Sequence, residues 1–465
     1  MSEIQNGGGR LRSLTLVPKA EGLSAKDFKS DQEVRWCPGC GDYAILAAFQ
    51  AFLPELQVPR ENVVVVSGIG CSSRLPYYVS SYGMHSIHGR APAIASGLAS
   101  SRQDLSVWVI TGDGDALSIG GNHLIHALRR NVNIKIMLFN NRIYGLTKGQ
   151  YSPTSEQGKV TKSTPYGSLD HPFNPVSLAL GAEASFVARS VDSDRKHLQS
   201  VLRAAADHKG SAFIEIFQNC PIFNDDAFAP IKEPNAPGLI RLVHGEQVRF
   251  GPDRSLGLTY GPQGSIQSVL ASSVPESELI VHDAALDDPS YAFALSRLDS
   301  YDFTHTPIGV LRSVERGSYD DAMAAQIETA RASGEGDLAK LLSGNDTWEV
   351  VLSGVDVSQN LDPCCAWAGR GSAGIVLRNI PHDPCRPTLH PRPVTLSQDP
   401  SQSPQPEARQ QNLRVQKSSL QLCHFCILRR NFRAIWPNAE GRPLVLSGRP
   451  SALVCYVPRW PVSRP

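Results

Sequence analysis

Residues 105 to 115 read LSVWVITGDGD, an apolar, β-branched run that stops at two glycines and two aspartates. Three further runs share this character: VVVVSGIG (63–70), NIKIMLFNN (133–141) and AFIEIFQNC (212–220). A short and nearly continuous apolar run is typical of a strand that is buried on both faces of a sheet. The four runs therefore predict the central strands of a parallel sheet.

Helical patterns separate these runs. They are YAILAAFQAFL (43–53), RAPAIASGLASS (90–101) and LSIGGNHLIHALRR (117–130). Strands that alternate with helices indicate an α/β fold, with a mostly parallel sheet covered by helices on both faces. Open sheets of this class bind ligands outside the carboxyl ends of their strands, and the polar residues of this chain gather at those ends.

Composition narrows the function classes. The chain has 465 residues, 41% of them hydrophobic, so it can bury a sizeable core, and its formal net charge is +1 at pH 7. This near-neutral balance argues against binding to nucleic acid or to a membrane surface. The chain begins with a polar, Gly-rich stretch, and no apolar run reaches the roughly 18 residues that could span a bilayer. We therefore expect a cytoplasmic protein with no membrane segment.

The last quarter of the chain, residues 351–465, differs from the rest. It is rich in Pro, Arg, Ser and Gln, has Lys417 as its single lysine and shows no sustained helical or strand periodicity. Such a composition cannot bury enough apolar surface to offset its ordering entropy. We predict a largely irregular tail, which is either a disordered arm or the product of a shifted reading frame or an altered stop codon.

Polar residues follow two neighbouring strands, in GDGD (112–115) and FNN (139–141). A right-handed crossover from strand to helix to strand brings Asp113 and Asn141 to the same edge of the sheet. A carboxylate, an amide oxygen and a main-chain carbonyl are suitable ligands for Mg²⁺, which takes further ligands from phosphate oxygens. Gly114 allows a diphosphate to approach the backbone closely. The spacing therefore predicts a site for Mg²⁺ and a diphosphate.

The cysteines fall into two groups. Four precede the tail and six lie within it; the first four are Cys37, Cys40, Cys71 and Cys220. The pair in RWCPGCGDY (35–43) can form a redox dithiol, but that would leave the other two without a role. Four thiolates suit either a [4Fe–4S] cluster or a structural zinc site with four cysteine ligands, and the residues alone leave both open.

Five motifs make a family resemblance specific: WCPGCGDY (36–43), SGIGCSSR (67–74), HSIHGRAPAIASGLA (85–99), GDGDALSIGGNH (112–123) and NNRIYGLTKGQYSPT (140–154). In this order they resemble the beta subunit of the 2-oxoacid:ferredoxin oxidoreductases, most closely the two-subunit 2-oxoglutarate type. The resemblance runs from about residue 30 to residue 350 and does not reach the tail. It implies a thiamine-diphosphate-binding fold.

The same resemblance suggests how the chain is divided. We expect a flexible N-terminal segment at residues 1–30 and a domain that binds thiamine diphosphate, Mg²⁺ and an iron–sulfur cluster at residues 31–235. The C-terminal part of the beta subunit is expected at residues 236–350, before the irregular tail at 351–465.

The resemblance also implies the site residues. It assigns one [4Fe–4S] cluster to Cys37, Cys40, Cys71 and Cys220, and it assigns Mg²⁺ to Asp113, Asn141 and the main-chain carbonyl of Ile143. It places thiamine diphosphate against the following residues: Ile69, Gly70, Cys71, Ser72, His88, Gly114, Asp115, Gly145 and Leu146. The candidate catalytic side chains are His88 and Lys148. The ammonium group of Lys148 can pair with a substrate carboxylate.

The implied activity is the coenzyme-A-dependent oxidative decarboxylation of a 2-oxoacid, with electrons passing through the cluster to ferredoxin. 2-Oxoglutarate, which gives succinyl-CoA, is the expected substrate; pyruvate or a branched-chain 2-oxoacid is the alternative. The resemblance further implies an alpha subunit, in an α2β2 assembly, that supplies the glutamate needed to activate the cofactor and much of the substrate pocket. The rival interpretations are a non-redox thiamine-dependent decarboxylase with a structural zinc site and a zinc-stabilised interaction protein.

Overall fold

The structure, a computed structural model, describes the following residues: 11–298, 302–334, 336–344, Ile435–Pro437 and Pro443–Val445. The last two ranges are strands that pair with each other in antiparallel fashion. The other positions of the predicted tail lie outside the described residues, as do residues 1–10 of the expected N-terminal segment.

The described part of the chain up to residue 344 contains both strands and helices. The strands are β1 (Val63–Ser67), β2 (Tyr82–His85), β3 (Ser106–Gly112), β4 (Lys135–Asn140), β5 (Phe186–Val191), β6 (Ala212–Phe217), β7 (Leu239–Leu242), β8 (Arg249–Phe250), β9 (Leu256–Tyr260), β10 (Ile266–Leu270) and β11 (Thr306–Ser313). The helices are α1 (Asp42–Phe52), α2 (Ala91–Ser101), α3 (Asp113–Leu117), α4 (Gly121–Arg130), α5 (Pro175–Gly181), α6 (Arg195–Asp207), α7 (Ser290–Ser296), α8 (Tyr319–Ala332) and α9 (Leu338–Ser343). Strands and helices alternate in this part of the chain from β3 to β6, apart from the consecutive helices α3 and α4, whereas β7 to β10 follow one another without an α-helix between them.

Eight strands form one sheet, in the order β2-β1-β3-β4-β6-β5-β11-β7. Neighbouring strands are parallel, except that β11 runs antiparallel to β5. The prediction of a mostly parallel sheet is therefore confirmed. The chain leaves β1 for β2 on one side and returns to β3 on the other, so the strand order reverses between β1 and β3. Such a reversal opens a crevice at the carboxyl ends of the two strands.

Both faces of this sheet are buried. In β1, Val64 and Val66 belong to one apolar core, whereas Val63 and Val65 belong to a second core. Successive side chains point to opposite faces of a strand, so a strand that is covered on both sides is apolar at nearly every position. Helices α2, α4 and α5 contribute to the first core, and α1 and α6 contribute to the second.

The helix expected over residues 117–130 is divided. Helix α3 ends at Leu117, Ser118 has a non-helical ψ of −104°, and α4 begins at Gly121. A Cβ at Gly120 would lie 2.5 Å from the main-chain oxygen of Asp115, so the turn between the two helices requires glycine. The apolar pattern does not reveal this break because it depends on a close approach between backbone segments.

The N-terminal segment, for which we predict flexibility, is described from residue 11 onward. There Leu14, Val17 and Phe28 are buried in the second core, and Lys29 forms an antiparallel bridge with Val79. This part of the segment is therefore packed. No helix in the described part of the chain is long and apolar enough to cross a membrane.

Candidate functional site

A cleft lies at the carboxyl edge of the sheet, where the strand order reverses. Segments that follow β1, β2, β3 and β4 form its walls. Open α/β sheets bind their ligands at this position. The cleft is lined by every residue for which we predict contact with thiamine diphosphate or Mg²⁺: Ile69, Gly70, Cys71, Ser72, His88, Asp113, Gly114, Asp115, Asn141, Ile143, Gly145 and Leu146.

Gly114 packs against an aromatic ring in this cleft. A Cβ at Gly114 would lie 2.0 Å from Cε1 of Tyr144, so a larger residue would displace the ring. The Tyr144 hydroxyl donates a hydrogen bond to the Gly114 carbonyl at 3.2 Å, and burial raises the pKa of that hydroxyl. Tyr144 therefore stays protonated, and its hydrogen bond joins the first turn of α3 to the segment after β4.

Asp113 is a buried carboxylate, with 3% of its surface exposed. Its Oδ2 accepts hydrogen bonds from the hydroxyls of Ser152 at 2.5 Å and Thr154 at 2.6 Å. Burial raises the pKa of Asp113 to about 6, while the two hydroxyl donors act in the opposite direction. A cation beside a buried carboxylate stabilises its charged form, so the environment of Asp113 suits a metal ligand.

Asn141 is held at both ends of its side-chain amide. Its Oδ1 accepts a hydrogen bond from the main-chain N–H of Ile143 at 3.2 Å, and its Nδ2 donates to Oε1 of Gln218 at 2.9 Å. Together the two bonds determine which end of the amide carries the oxygen. The predicted Mg²⁺ ligands Asn141 and Ile143 are thus already joined to each other by a hydrogen bond.

Asp115 lines the cleft, but protein donors occupy its carboxylate. Oδ1 accepts hydrogen bonds from the main-chain N–H groups of Ile69 at 3.3 Å and Gly89 at 2.9 Å, and it lies 3.0 Å from Nδ1 of His88. Oδ2 accepts a hydrogen bond from the Thr111 hydroxyl at 2.9 Å. Asp115 therefore shapes the cleft by joining three of its loops, a role that the prediction of simple cofactor contact does not include.

The two candidate catalytic side chains have different positions. His88 lines the cleft with a half-exposed side chain, and its Nδ1 faces Asp115, which leaves Nε2 for contact with a ligand. Lys148 is exposed, has a left-handed backbone φ of 74° and does not line the cleft. The structure thus brings His88 but not Lys148 into the cleft, and a role for Lys148 in substrate binding stays a prediction.

Cysteine side chains lie beside the cleft. Cys71 lines it directly, and a Cβ at Gly145 would lie 3.5 Å from Sγ of Cys71 and 3.6 Å from Sγ of Cys220. These two sulfurs therefore lie beside the same glycine. Cys37 is exposed and Cys40 is partly buried, and none of the four takes part in a disulfide.

Charge interactions connect the four thiols. Burial raises the pKa of Cys71 to about 12, and Asp42, Cys220 and Cys37 add to that rise. Burial also raises the pKa of Cys40, with contributions from Asp42, Cys220 and Cys71. Thiolates in this position need a compensating positive charge. Within the described ranges, no three His, Cys, Asp or Glu side chains converge closely enough to hold a single metal ion.

Known proteins are similar to this chain in the region that forms the cleft. Residues 62–216 match the family model described as thiamine pyrophosphate enzyme, C-terminal TPP binding domain. The 2-oxoacid:ferredoxin oxidoreductase subunit beta of a Sulfolobus species is 47% identical over 192 residues, which are 41% of this chain and 63% of that protein. The 2-oxoglutarate oxidoreductase subunit KorB of Mycobacterium tuberculosis is 62% identical over 329 residues, or 70% of this chain and 88% of that protein. The chain belongs to the beta subunits of the 2-oxoacid:ferredoxin oxidoreductases.

A solved structure supports the same family and fold. It is the 2-oxoglutarate:ferredoxin oxidoreductase from Magnetococcus marinus with 2-oxoglutarate, coenzyme A and succinyl-CoA bound. The similarity has a TM-score of 0.56 at 34% identity and covers 71% of this beta subunit and 97% of the solved chain. The expected thiamine-diphosphate-binding fold is therefore confirmed, and the chain is a subunit of an oxidoreductase.

Sequence reasoning missed several polar residues of this beta-subunit site: Thr111, Tyr144, Ser152, Thr154 and Gln218. Ser152 and Thr154 end the fifth motif, and their hydroxyl groups reach Asp113 from about forty positions away. Gln218 directly follows strand β6. A polar residue at the end of a buried strand is the signal that led to Asp113 and Asn141, and applied to β6 it would have indicated Gln218 as well.

Proposed function

We propose that this chain is the beta subunit of a 2-oxoglutarate:ferredoxin oxidoreductase, which converts 2-oxoglutarate and coenzyme A to succinyl-CoA and CO₂ and passes electrons to ferredoxin. One observation carries the proposal: the cleft at the strand reversal unites the predicted diphosphate and metal residues with Cys71, and the sulfur of Cys220 lies beside the same glycine, Gly145, as the sulfur of Cys71. A thiamine-dependent enzyme without redox chemistry has no need of paired thiols at this position.

The names of relatives support the choice of substrate. The mycobacterial relative and one from Archaeoglobus fulgidus are named as 2-oxoglutarate oxidoreductase or synthase subunits. The solved relative has 2-oxoglutarate, coenzyme A and succinyl-CoA bound. We extend this substrate class to the chain because its match to the mycobacterial protein is 62% identical and covers 88% of that protein.

The residues of the chain fit the two implied groups. When bound, thiamine diphosphate supplies an electron sink for decarboxylation and a [4Fe–4S] cluster supplies a one-electron acceptor. Asp113, Asn141 and the carbonyl of Ile143 would hold Mg²⁺, which provides the positive charge that the buried Asp113 lacks. The four cysteines would hold the cluster, whose iron stabilises the thiolates of Cys40 and Cys71 that burial otherwise disfavours.

Other residues orient and recognise the bound molecules. Asp115 holds the His88 ring at Nδ1, so that Nε2 can exchange a hydrogen bond with a ligand in the cleft. Lys148 directly follows Thr147, which lines the cleft. We assign to the exposed ammonium group of Lys148 the recognition of a carboxylate of the 2-oxoacid.

The proposed enzyme contains a second chain. None of the described residues that line the cleft is a glutamate, so we assign the glutamate that activates the cofactor to an alpha subunit, in an α2β2 assembly. The alpha subunit would also cover the cleft and complete the substrate pocket. Exclusion of water from such a site strengthens the electrostatic interactions within it.

Reconstitution tests this proposal. The chain is purified anaerobically alone and with its alpha subunit, and iron, sulfide, zinc and thiamine are measured. We expect iron, sulfide and thiamine in the complex, and reduction of a viologen dye or ferredoxin that requires both 2-oxoglutarate and coenzyme A. The isolated chain should retain iron but not reduce the dye. Zinc without iron, or equal dye reduction by the isolated chain, would contradict the proposal, and a preference for pyruvate would correct the substrate.

A further inference from the structure

One side chain connects the two halves of the site. Gln218 is 1% exposed, and its Oε1 accepts a hydrogen bond from Nδ2 of Asn141 at 2.9 Å. Its Nε2 donates to Sγ of Cys40 at 3.2 Å and also to the main-chain carbonyl of Asn219. A single buried amide therefore contacts a proposed Mg²⁺ ligand at one end and a proposed cluster ligand at the other.

The direction of this hydrogen-bond chain is fixed by the backbone. The N–H of Ile143 can only donate, so the atom of Asn141 that faces it is Oδ1, and Nδ2 faces Gln218. Nδ2 can only donate in turn, so Gln218 presents Oε1 to Asn141 and Nε2 to Cys40. The main-chain carbonyl of Asn219 beside Nε2 can only accept a hydrogen bond, so it requires the same orientation of the Gln218 amide. The chain thus runs in one direction from the metal site to the cysteine.

We propose that Gln218 is a positioning residue that couples the two cofactor sites: it orients Asn141 for Mg²⁺ and tunes the cluster through a hydrogen bond to Cys40. This inference rests on the proposed function, since it takes Asn141 and Cys40 as ligands. It adds a residue that contacts neither the substrate nor, directly, either cofactor. Outer hydrogen-bond partners of this kind orient metal ligands and adjust the properties of the metal.

The effect on the cluster has a definite sign. An N–H group that donates to a ligand thiolate stabilises negative charge on the sulfur. Because reduction adds one negative charge to the cluster and its ligands, the donor stabilises the reduced form more than the oxidised form. Gln218 therefore raises the reduction potential, and its removal lowers the potential.

The effect on the metal is geometric. The amide of Asn141 can coordinate Mg²⁺ only through its oxygen, and a rotated amide would present an NH₂ group instead. The bond from Asn141 Nδ2 to Gln218 disfavours that rotation. The bond from the Ile143 N–H uses one lone pair of Oδ1 and leaves the other for the metal.

Two substitutions separate these effects in the complete alpha–beta complex. Gln218→Met keeps a similar volume but provides no N–H donor and only a weak acceptor. Gln218→Glu keeps an oxygen for Asn141 and, once the introduced carboxyl group is ionised, has no donor for Cys40; the potential is therefore measured over a pH series, because burial beside thiolates raises the pKa of a carboxyl group. The matched control is Gln50→Met, because Gln50 is also buried and donates to the Tyr78 carbonyl at 2.8 Å, away from the cleft.

Two quantities are measured. The first is the midpoint potential of the cluster, monitored by electron paramagnetic resonance, and the second is the Mg²⁺ dependence of thiamine diphosphate binding. For Gln218→Met we expect the equilibrium constant for one-electron reduction to fall about tenfold, which is ~59 mV, and the Mg²⁺ requirement to rise about tenfold. For Gln218→Glu we expect a fall in potential of at least this size with the Mg²⁺ requirement within about threefold of the original. Gln50→Met should change neither quantity.

Three results would overturn the role of Gln218: an unchanged potential in both Gln218 variants, an equal rise of the Mg²⁺ requirement in both, or loss of iron from both while Gln50→Met retains it. The last would show that Gln218 serves only to maintain the fold. Failure of the proposed function looks different, because the unmodified complex would then lack iron or bind thiamine diphosphate without Mg²⁺.

Discussion

Nδ1 of His88 lies 3.0 Å from Oδ1 of Asp115, although the two residues are 27 positions apart in the sequence. The same oxygen accepts hydrogen bonds from the main-chain N–H groups of Ile69 and Gly89. One buried carboxylate oxygen thus determines how the loops after β1 and β2 approach the start of α3. The shape of the cofactor cleft depends on this convergence.

Asp115→Asn is expected to weaken thiamine diphosphate binding by about tenfold or more. The amide keeps an acceptor oxygen but removes the negative charge, so the hydrogen bonds from Ile69, Gly89 and His88 become weaker; hydrogen bonds to charged groups contribute roughly 1.5–3 kcal/mol, against about 1 kcal/mol for neutral ones. Calorimetric titration with the cofactor and Mg²⁺ measures the effect. Asp104→Asn is the control, since the carboxylate of Asp104 pairs with Arg102 at the surface. Equal affinity in both variants would refute the structural role of Asp115.

Asp113→Ala is expected to abolish binding of thiamine diphosphate while leaving the iron content unchanged. The substitution removes the carboxylate that we assign to Mg²⁺, whereas the cysteines are not altered. Thiamine and iron analysis of the purified complex checks this outcome. Thr154→Ser keeps a hydroxyl group for Asp113 Oδ2 and should retain the cofactor, whereas Thr154→Val removes that hydroxyl and should weaken binding. Thiamine at the original level in Asp113→Ala would place the metal elsewhere.

Cys71→Ser is expected to remove most of the iron. A cluster with three thiolates and one hydroxyl ligand is more exposed to solvent and oxidant, and Cys71 already lies in the cleft wall. Iron and sulfide analysis together with visible absorbance provides the measurement. Cys423→Ser changes a cysteine of the tail, which the family resemblance does not reach, and should retain all the iron. Full iron content in Cys71→Ser would exclude that residue as a ligand.

Buried histidine makes the fold sensitive to acid. Burial lowers the pKa of His208 to about 3, and its Nε2 lies 2.7 Å from the Ser185 hydroxyl. Between this value and the ordinary pKa of about 6.5, the unfolded chain binds a proton that the folded chain does not, so the free energy of unfolding falls as the pH falls through this window. His208→Gln should therefore reduce the slope by about 1.4 kcal/mol per pH unit. Chemical denaturation at several pH values checks this, and substitution of the exposed His171 by Gln should leave the slope unchanged.

Part of the fold and of the site is predictable because it depends on local pattern. A strand buried on both faces is apolar at nearly every position, so Val63–Ser67 and its neighbours were recognisable as parallel strands. Parallel strands joined by a right-handed crossover end at the same edge, so Asp113 and Asn141 were recognisable as partners. The sequence motifs also indicated the family, which the mycobacterial relative then established.

Only the tertiary structure decided which polar groups contact each other. The contact of Asp115 with the cofactor stays a prediction, whereas its hydrogen bonds to Thr111 and to the loop after β2 are visible only in the tertiary structure. Gln218 reaches Cys40 from 178 positions away. The apolar pattern of a strand records burial, which is non-directional, and it is therefore readable from residue type. A hydrogen bond requires a particular distance and angle between two groups, and those are set by the course of the whole backbone.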